Sequence, residues 1–417
     1  MAETWVQSTA RSLVYQALKR IHRGRVTINT KYASDNNESV SFGSNSESDP
    51  EIVVIIKNPQ VFVRLCQAFD LGLSESYLVQ DVECDNLVEL FSLYVRNQDT
   101  LGVGAGNLLY TLIPRAAHYL IPTNDNTTAL KNASFHYDTS NDHFANFLSP
   151  DMNYSSAIWS GEKDESLESA QRRKIQTILD KAEISSTDHI LDIGCGWGNL
   201  AITAVQQTRC RVTGLTLSKE QKALAEERIK AAGFEDKITI LLCDYRKAPV
   251  PEGGYDRIIS IEMLEHVGDK YMNKYFQQIS ALLKPKGGRM VVQGITRINS
   301  RYIFPGGYLP TINQLMTSIH NGSSGTLEVE TVQSIGPHYI RTLQCWKENF
   351  DENWDTIRQD YVSKHPDATD LMIEAYRRTW VYYFQYCEAG FRTRILGDYI
   401  ISATRTPWPE IPSNVPH

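Results

Sequence analysis

Hydrophobic and polar positions divide the chain into a first stretch of short mixed elements and a second of regular strand–helix alternation. In the first stretch, Leu13, Ala17, Leu18 and Ile21 recur at helical spacing and predict a helix over Ser12–Ile21. Arg25–Asn29 and Glu51–Lys57 alternate or run apolar, as strands do. Between them, Ala33–Pro50 is rich in Ser, Asn, Asp and Glu and reads as a solvated loop. Val61–Leu71 and Asp85–Val95 read as helices, with Asp85 a candidate cap for the second. Together these form a small α+β unit without a catalytic constellation of its own. The most apolar window, Leu101–Pro122, contains Pro114, Arg115 and His118. It therefore reads as a buried connector rather than a membrane span, its other reading being a surface that touches lipid. The polar run Thr123–Ser134 marks a domain boundary, which we place after residue 125. The turn-rich aromatic segment Phe135–Trp159 follows, as core packing or as a lid or pocket wall.

From Glu168 the pattern changes. Glu168–Ala182 is helical and leads into an apolar strand at Ile190–Asp192; Asn199–Thr208 is helical again. Strands at Arg211–Leu217, Lys237–Cys243, Asp256–Ile261 and Arg289–Ile295 alternate with helices at Ser218–Ala232, ended by Gly233, and at Asp269–Leu283. Arg297–Asn321 breaks the alternation as a turn-rich cover. Leu327–Ile335 is strand-like, His338–Tyr361 and Asp367–Phe391 are helical, and Tyr399–Arg405 is a last strand turning back antiparallel, before a proline-rich tail from Thr406. The expectation is an α/β fold: a doubly wound, mostly parallel seven-stranded sheet with helices on both faces, preceded by the smaller domain over residues 1–125.

Such sheets bind ligands at the carboxyl ends of their strands. There the chain reads H-I-L-D-I-G-C-G-W-G over His189–Gly198, a strand, a glycine turn and a helix start. Backbone N–H groups in such a turn approach a ligand closely, and the helix N-terminus adds partial positive charge. The spacing G-x-G-x-G, with Asp192 two before Gly194, fits S-adenosylmethionine better than a dinucleotide. Ser218 and Gln221 stand as S-x-x-Q, either a capping box or a ribose contact. Asp244-Tyr245 ends a strand, as a local cap or as an acceptor for an amino group beside a ring that stacks on a purine. Glu262, Glu265 and His266 follow another strand, as surface ion pairs or as base, anchor or ligand. Cys387 lies in an aromatic-rich helical stretch that is core or a cavity wall.

Composition narrows the classes. The net charge of −7 over 417 residues argues against a nucleic-acid partner. The seven cysteines form no C-x-x-C pair, which argues against zinc and a disulfide framework and makes a reducing, cytoplasmic setting the default. The first residues lack the apolar core of a signal peptide.

Eight segments together resemble the cyclopropane fatty-acyl-phospholipid synthase family of S-adenosylmethionine-dependent methyltransferases, which includes the mycolic acid cyclopropane synthases. They are F-H-Y-D-T-S-N-D (135–142), M-N-Y-S-S-A-I-W (152–159), L-D-I-G-C-G-W-G (191–198), V-T-G-L-T-L-S-K-E-Q (212–221), E-M-L-E-H-V-G (262–268), Y-I-F-P-G-G-Y-L-P (302–310), H-Y-I-R-T-L-Q-C-W (338–346) and Y-C-E-A-G-F-R-T-R (386–394). G-R-V-T-I (24–28) and L-G-L-S-E-S-Y (71–77) resemble the accessory N-terminal domain of the longer members. The resemblance implies a class I methyltransferase fold. It implies that Tyr137, Tyr154, Ser155, Asp192, Gly194, Gly196, Thr216, Gln221, Asp244 and Tyr245 hold S-adenosylmethionine. It places Glu265, Tyr339, Ser156, Gln293, Cys387 and His266 at the chemistry, with a bicarbonate ion held by Ser156, Glu265, Tyr339 and Cys387. Two positions depart from the family pattern: Ser156 stands where Cys is usual, and Gln293 where His is usual. Gln can donate a hydrogen bond but cannot become cationic. The implied reaction is methyl transfer to an alkene of an unsaturated phospholipid, then ring closure from a carbocation once a base removes a proton. A plain methyl branch, a small-molecule amine acceptor and a silent lipid-binding protein are its rivals. Peripheral membrane contact and a homodimer are associations this reading leaves open.

Overall fold

The computed structural model describes residues 3–32, 38–44, 51–101, 140–297 and 309–406. In chain order the elements are α1 (Trp5–Leu18), β1 (Arg25–Thr30), β2 (Ser39–Gly43), β3 (Glu51–Ile56), α2 (Gln60–Leu78), β4 (Val82–Cys84), α3 (Leu87–Arg96), α4 (Asn141–Ala145), α5 (Leu167–Ala182), β5 (His189–Ile193) and α6 (Asn199–Thr208). There follow β6 (Arg211–Thr216), α7 (Lys219–Ala232), β7 (Ile238–Leu242), β8 (Arg257–Ile261), α8 (Met272–Leu282), β9 (Arg289–Arg297), α9 (Ile312–Ser323), β10 (Leu327–Ser334), α10 (Gly336–Glu352), α11 (Trp354–Lys364), α12 (Asp370–Arg392) and β11 (Leu396–Arg405). They belong to two compact units, one of residues 1–121 with Trp346–Thr393, the other of residues 122–345 with 394–417.

The first unit is built on a four-stranded sheet in the order β2-β1-β3-β4. β1 pairs parallel with β3 and antiparallel with β2. Val26, Ile28, Phe42, Ile52, Val54 and Ile56 fill its core with Val61 and Phe62 of α2. β2 lies inside the segment expected to be loop. Its S-V-S-F-G alternation points Phe42 into that core, and this burial outweighs the polar composition around it. The cap of α3 is Asn86, whose side chain accepts from the Glu89 N–H at 3.0 Å. Asp85 instead accepts from the Val53 N–H of β3, also at 3.0 Å.

The stretch Trp346–Thr393, read from sequence with the second domain, clusters with this first unit. The reason is packing of α12 on α2 and α3. Arg378 donates to the carbonyls of Tyr77 and Val82 at 2.8 and 3.3 Å and pairs with Glu83. Phe91 meets Tyr382 and Tyr386 edge-on, each at 5.2 Å. The helical pattern over His338–Tyr361 is also two helices, broken at Asn353.

The second unit carries the expected seven-stranded sheet, in the order β10-β11-β9-β8-β5-β6-β7. β5 to β9 run parallel, and β11 inserts antiparallel between β9 and β10. One face packs Ile175 and Ile178 of α5, Leu200 and Ala204 of α6, and Ile229 of α7. The other packs Tyr275, Phe276 and Ile279 of α8 and Leu315 and Ile319 of α9. The sheet is thus doubly wound, and the strand order reverses direction between β5 and β8, where such folds place their ligand crevice. Within the stretch expected to be a turn-rich cover, Ile312–Ser323 is helix α9, started by a Thr311–Gln314 capping box.

Candidate active site

The glycine turn leaves β5 as the sequence predicts. The N–H groups of Gly194 and Cys195 donate back to the Leu215 carbonyl at 3.0 and 2.9 Å, which pins the turn to β6. Gly194, Gly196 and Gly198 all have positive φ, at 81°, 53° and 82°. A Cβ at Gly196 would meet nothing within 4 Å, so the turn opens onto free space. No side chain caps α6, so its first N–H groups remain available to a ligand. Behind the turn Asp192 is 2% exposed, and its Oδ2 has no hydrogen-bond partner. Burial pushes the Asp192 carboxyl up to about 7, against the charge of Lys174, which lowers it. An open cradle backed by an unpartnered buried carboxyl oxygen fits a ligand with a cationic amino-acid end, as S-adenosylmethionine has.

At the end of β6, the Thr216 hydroxyl donates to Gln221 Oε1 at 2.7 Å and accepts from the Ser218 N–H at 3.1 Å. Ser218 caps α7 by accepting from the Gln221 N–H at 3.1 Å. The Gln221 side chain turns to Thr216, so the cap and a polar group facing the crevice coexist. At the end of β7, Asp244 caps the short turn Tyr245–Lys247, and Arg246 grips its carboxylate at 2.8 and 2.5 Å. Burial raises the Asp244 carboxyl, but the Arg246 bonds and charge outweigh it, and the net shift is downward. Tyr245 packs edge-on against Tyr275 at 5.1 Å, and burial pushes its hydroxyl up to about 12. Tyr154 packs on Phe144 at 5.2 Å; Ser155 accepts from the fully buried Lys174 at 2.7 Å. Tyr137 lies outside the described residues.

A second group of residues assembles where β8, β9 and β11 meet. Its centre is Glu262, which the sequence reading left open between a surface ion pair and a base, anchor or ligand. The Glu262 carboxylate accepts from the Ser156 N–H at 2.8 Å, the Gln293 side-chain amide at 2.9 Å and the Tyr339 hydroxyl at 2.6 Å. The same Gln293 nitrogen donates to Asp398 at 2.9 Å. Glu265 accepts from the Ile295 N–H at 2.6 Å, and its Oε2 is buried without a partner. Burial first, then the neighbouring Glu262 charge, pushes Glu265 up to about 8. Burial, then the charges of Glu262 and Glu265, raises Asp398 well above the carboxylate range. Burial raises Glu262 as well, while its hydrogen bonds from Tyr339 and Ser156 and the charge of Lys174 oppose the rise. Lys174 is held below its usual range by burial, and the charges of Glu262, Asp151, Asp398 and Asp192 pull it back up. This group adjoins the cradle: a Cβ at Gly194 would lie 3.3 Å from Cγ of Met263, the residue after Glu262.

Four of the six expected catalytic residues, Ser156, Glu265, Gln293 and Tyr339, are therefore in this unit and lie in or beside the group. His266 is exposed at the surface of a single turn. Cys387 is in the first unit, buried on α12, and burial raises its thiol. The expectation of bicarbonate on Ser156, Glu265 and Tyr339 does not fit. The Ser156 N–H and the Tyr339 hydroxyl are both taken by Glu262, and an added anion would face Glu265 and Asp398 as well. The sequence reading missed Lys174 and Asp398. Lys174 had a signal, since it sits with Gln171 in the apolar stripe Ala170, Ile175, Ile178, and Asp398 stands in β11 just before the apolar pair Ile400-Ile401.

Comparison with known proteins agrees with this architecture. Residues 124–399 match the family described as "Mycolic acid cyclopropane synthetase". The cyclopropane-fatty-acyl-phospholipid synthase of Escherichia coli K12 is 35% identical over 358 residues, covering 81% of this chain and 84% of that protein. The tuberculostearic acid methyltransferase UfaA1 of Mycobacterium tuberculosis is 33% identical over 360 residues, 79% of this chain and 77% of that one. The solved mycolic acid cyclopropane synthase CmaA1, complexed with SAH and CTAB, is 28% identical with a TM-score of 0.58, over 66% of this chain and 98% of that one.

Proposed function

Because the chain belongs to the mycolic acid cyclopropane synthetase family and is an S-adenosylmethionine-dependent methyltransferase, we propose that its acceptor is the double bond of an unsaturated fatty-acyl chain in a phospholipid, and its product a cyclopropane ring. The observation that carries the proposal is the enclosed carboxylate–tyrosine–glutamine group beside the glycine cradle. Methylating an alkene leaves a cation with no lone pair to quench it, so the site must supply a proton acceptor and keep water out. A buried group of this kind does both. The naming of the Escherichia coli relative, which this chain matches well beyond the family's 124–399 core, supports the phospholipid acceptor.

Gly194, Gly196 and the start of α6 would hold the amino-acid end of S-adenosylmethionine, with Asp192 opposite its ammonium. Thr216 and Gln221 would meet the ribose, and Tyr245 the purine. When bound, the cofactor supplies an electrophilic methyl group. The protein's own residues orient the acyl chain, shelter the cation and take a proton. Bicarbonate has no part in this reading, since its donors are occupied. Among the described residues no helix is long and apolar enough to cross a membrane.

A second reading, a plain methyl branch, is favoured by Gln293, a neutral amide at a position where the family usually places an ionisable imidazole. Purified protein given methyl-labelled S-adenosylmethionine and vesicles of monounsaturated phospholipid separates the two by mass spectrometry of the acyl chains. A labelled ring supports the proposal, a labelled methyl branch moves it to the second reading, and no label in lipid despite cofactor binding overturns the acyl-chain acceptor.

A further inference from the structure

We propose that Glu262 is the resident proton acceptor of this site, a carboxylate supplied by the chain itself in the place where the family resemblance implies a bicarbonate ion; the inference rests on the acyl-chain reading above. Three carboxyls, Glu262, Glu265 and Asp398, influence one another electrostatically in a buried setting, and Lys174 opposes the charge on Glu262 and Asp398. Like charges so placed cannot all ionise. The donors decide which one does. Glu262 receives a backbone N–H, an amide N–H and a phenolic O–H. Glu265 receives the Ile295 N–H and keeps one buried oxygen unpartnered, and Asp398 shares the Gln293 amide and likewise keeps Oδ1 unpartnered. The negative charge therefore settles on Glu262, and the other two hold protons.

The Glu262 Oε1 takes the Ser156 and Gln293 bonds and its Oε2 the Tyr339 hydroxyl, and the Asp398 side chain is a further hydrogen-bond partner of the carboxylate. The residue as a whole keeps some exposed surface while its carboxylate is buried. Its backbone has φ +48°, a left-handed conformation that a glutamate adopts only against strain. That strain turns Glu262 back to meet donors from β9, α10 and the loop at Ser156.

The step balances as follows. The alkene has gained a methyl group and carries a positive charge on the adjacent carbon. A C–H bond of the new methyl breaks, its electron pair forms the second ring bond, and the proton goes to Glu262 Oε2. The protonated carboxyl then releases that proton to water when the product leaves.

The test uses the full-length protein, Glu262→Gly and Glu262→Gln, in buffer freed of carbon dioxide and then with bicarbonate added. Glycine suits φ +48°, so Glu262→Gly keeps the backbone and vacates the carboxylate's place beside Ser156 and Tyr339. The expected result is a wild-type ring yield unchanged by bicarbonate. Both variants lose on the order of a hundredfold or more, and added bicarbonate restores Glu262→Gly but not Glu262→Gln. A readout without turnover accompanies it: isotopically labelled bicarbonate, followed by NMR line broadening without lipid, binds Glu262→Gly and not wild type. A wild type that needs or binds bicarbonate, or a Glu262→Gly variant fully active without it, overturns the proposal. If wild type labels no lipid at all, the acyl-chain reading falls, and the binding measurement alone still decides whether Glu262 occupies the anion's place.

Discussion

Asp192 gives the most direct quantitative check on how the cradle is built. Its carboxyl is 2% exposed, one oxygen lacks a partner, and burial holds it near 7 against an ordinary value of 3.8. That displacement corresponds to about 4 kcal/mol. The sign follows from which state binds the proton. A folded acid with a raised pKa is protonated while the unfolded chain is already ionised, so stability falls as pH rises from about 4 to about 7 and stays reduced above. At pH 5 the penalty is about 1.5 kcal/mol, and by pH 8 it has grown by about 2.5 kcal/mol. Asp192→Asn removes the titration and nearly preserves the volume. Urea unfolding of both proteins at the two pH values, without cofactor, should show the variant's stability advancing on wild type by about 2.5 kcal/mol between pH 5 and pH 8. Its affinity for S-adenosylmethionine, by calorimetry, should fall roughly tenfold to a hundredfold, because a bond to a charged group contributes about 1.5–3 kcal/mol. Parallel stabilities at the two pH values would refute the strained carboxyl. An unchanged affinity would refute its pairing with the ligand.

Other substitutions probe the remaining parts. Gly196→Val has open space for its side chain but fills the cradle; it should fold at a cost of about 1–3 kcal/mol and lose cofactor binding by calorimetry. Gly214→Ala would place a Cβ 2.7 Å from Ile240 and 2.9 Å from Cys195, so thermal unfolding should report a loss of about 1–3 kcal/mol from overpacking. Ser156→Cys should leave labelled-lipid yield within about threefold, since the backbone N–H and not the side chain holds Glu262. Gln293→Leu removes the donor shared by Glu262 and Asp398, and should shift the pH dependence of kcat upward while cutting its maximum.

The parts of the fold that were legible are those fixed by local pattern. The helix Asn199–Thr208 was read with its observed bounds, and the β6 and β9 starts at Arg211 and Arg289 were read correctly, because apolar runs between glycine and proline stops leave little choice. The errors arise where partners are distant. β2 is a strand because β1 lies beside it, and nothing in S-V-S-F-G outweighs the surrounding polar residues until Phe42 has a core to enter. α12 was identified as a helix but assigned to the wrong unit, since an aromatic stripe shows that a face is buried and not what buries it; Arg378 reaching Tyr77 and Val82 supplies the answer.

The same distinction divides the site. The glycine cradle was legible because its residues adjoin in sequence and backbone conformation alone shapes it. Apart from Glu262 and Glu265, three apart in sequence, the carboxylate group draws on positions 156, 174, 293, 339 and 398, which no short spacing links. Sequence could show that Ser156 and Gln293 depart from a familiar pattern, but not that both face the same glutamate. Once they do, the two departures have one explanation. A cationic imidazole at position 293 would suit a free anion; a neutral amide suits two carboxyls of the chain itself, giving one hydrogen to Glu262 and one to Asp398. Ser156 needs no thiol, because its N–H makes the contact. If Glu262 is the anion, changing Gln293 to His should disturb Glu262 and Asp398 together, and in Glu262→Gly the same change should become favourable.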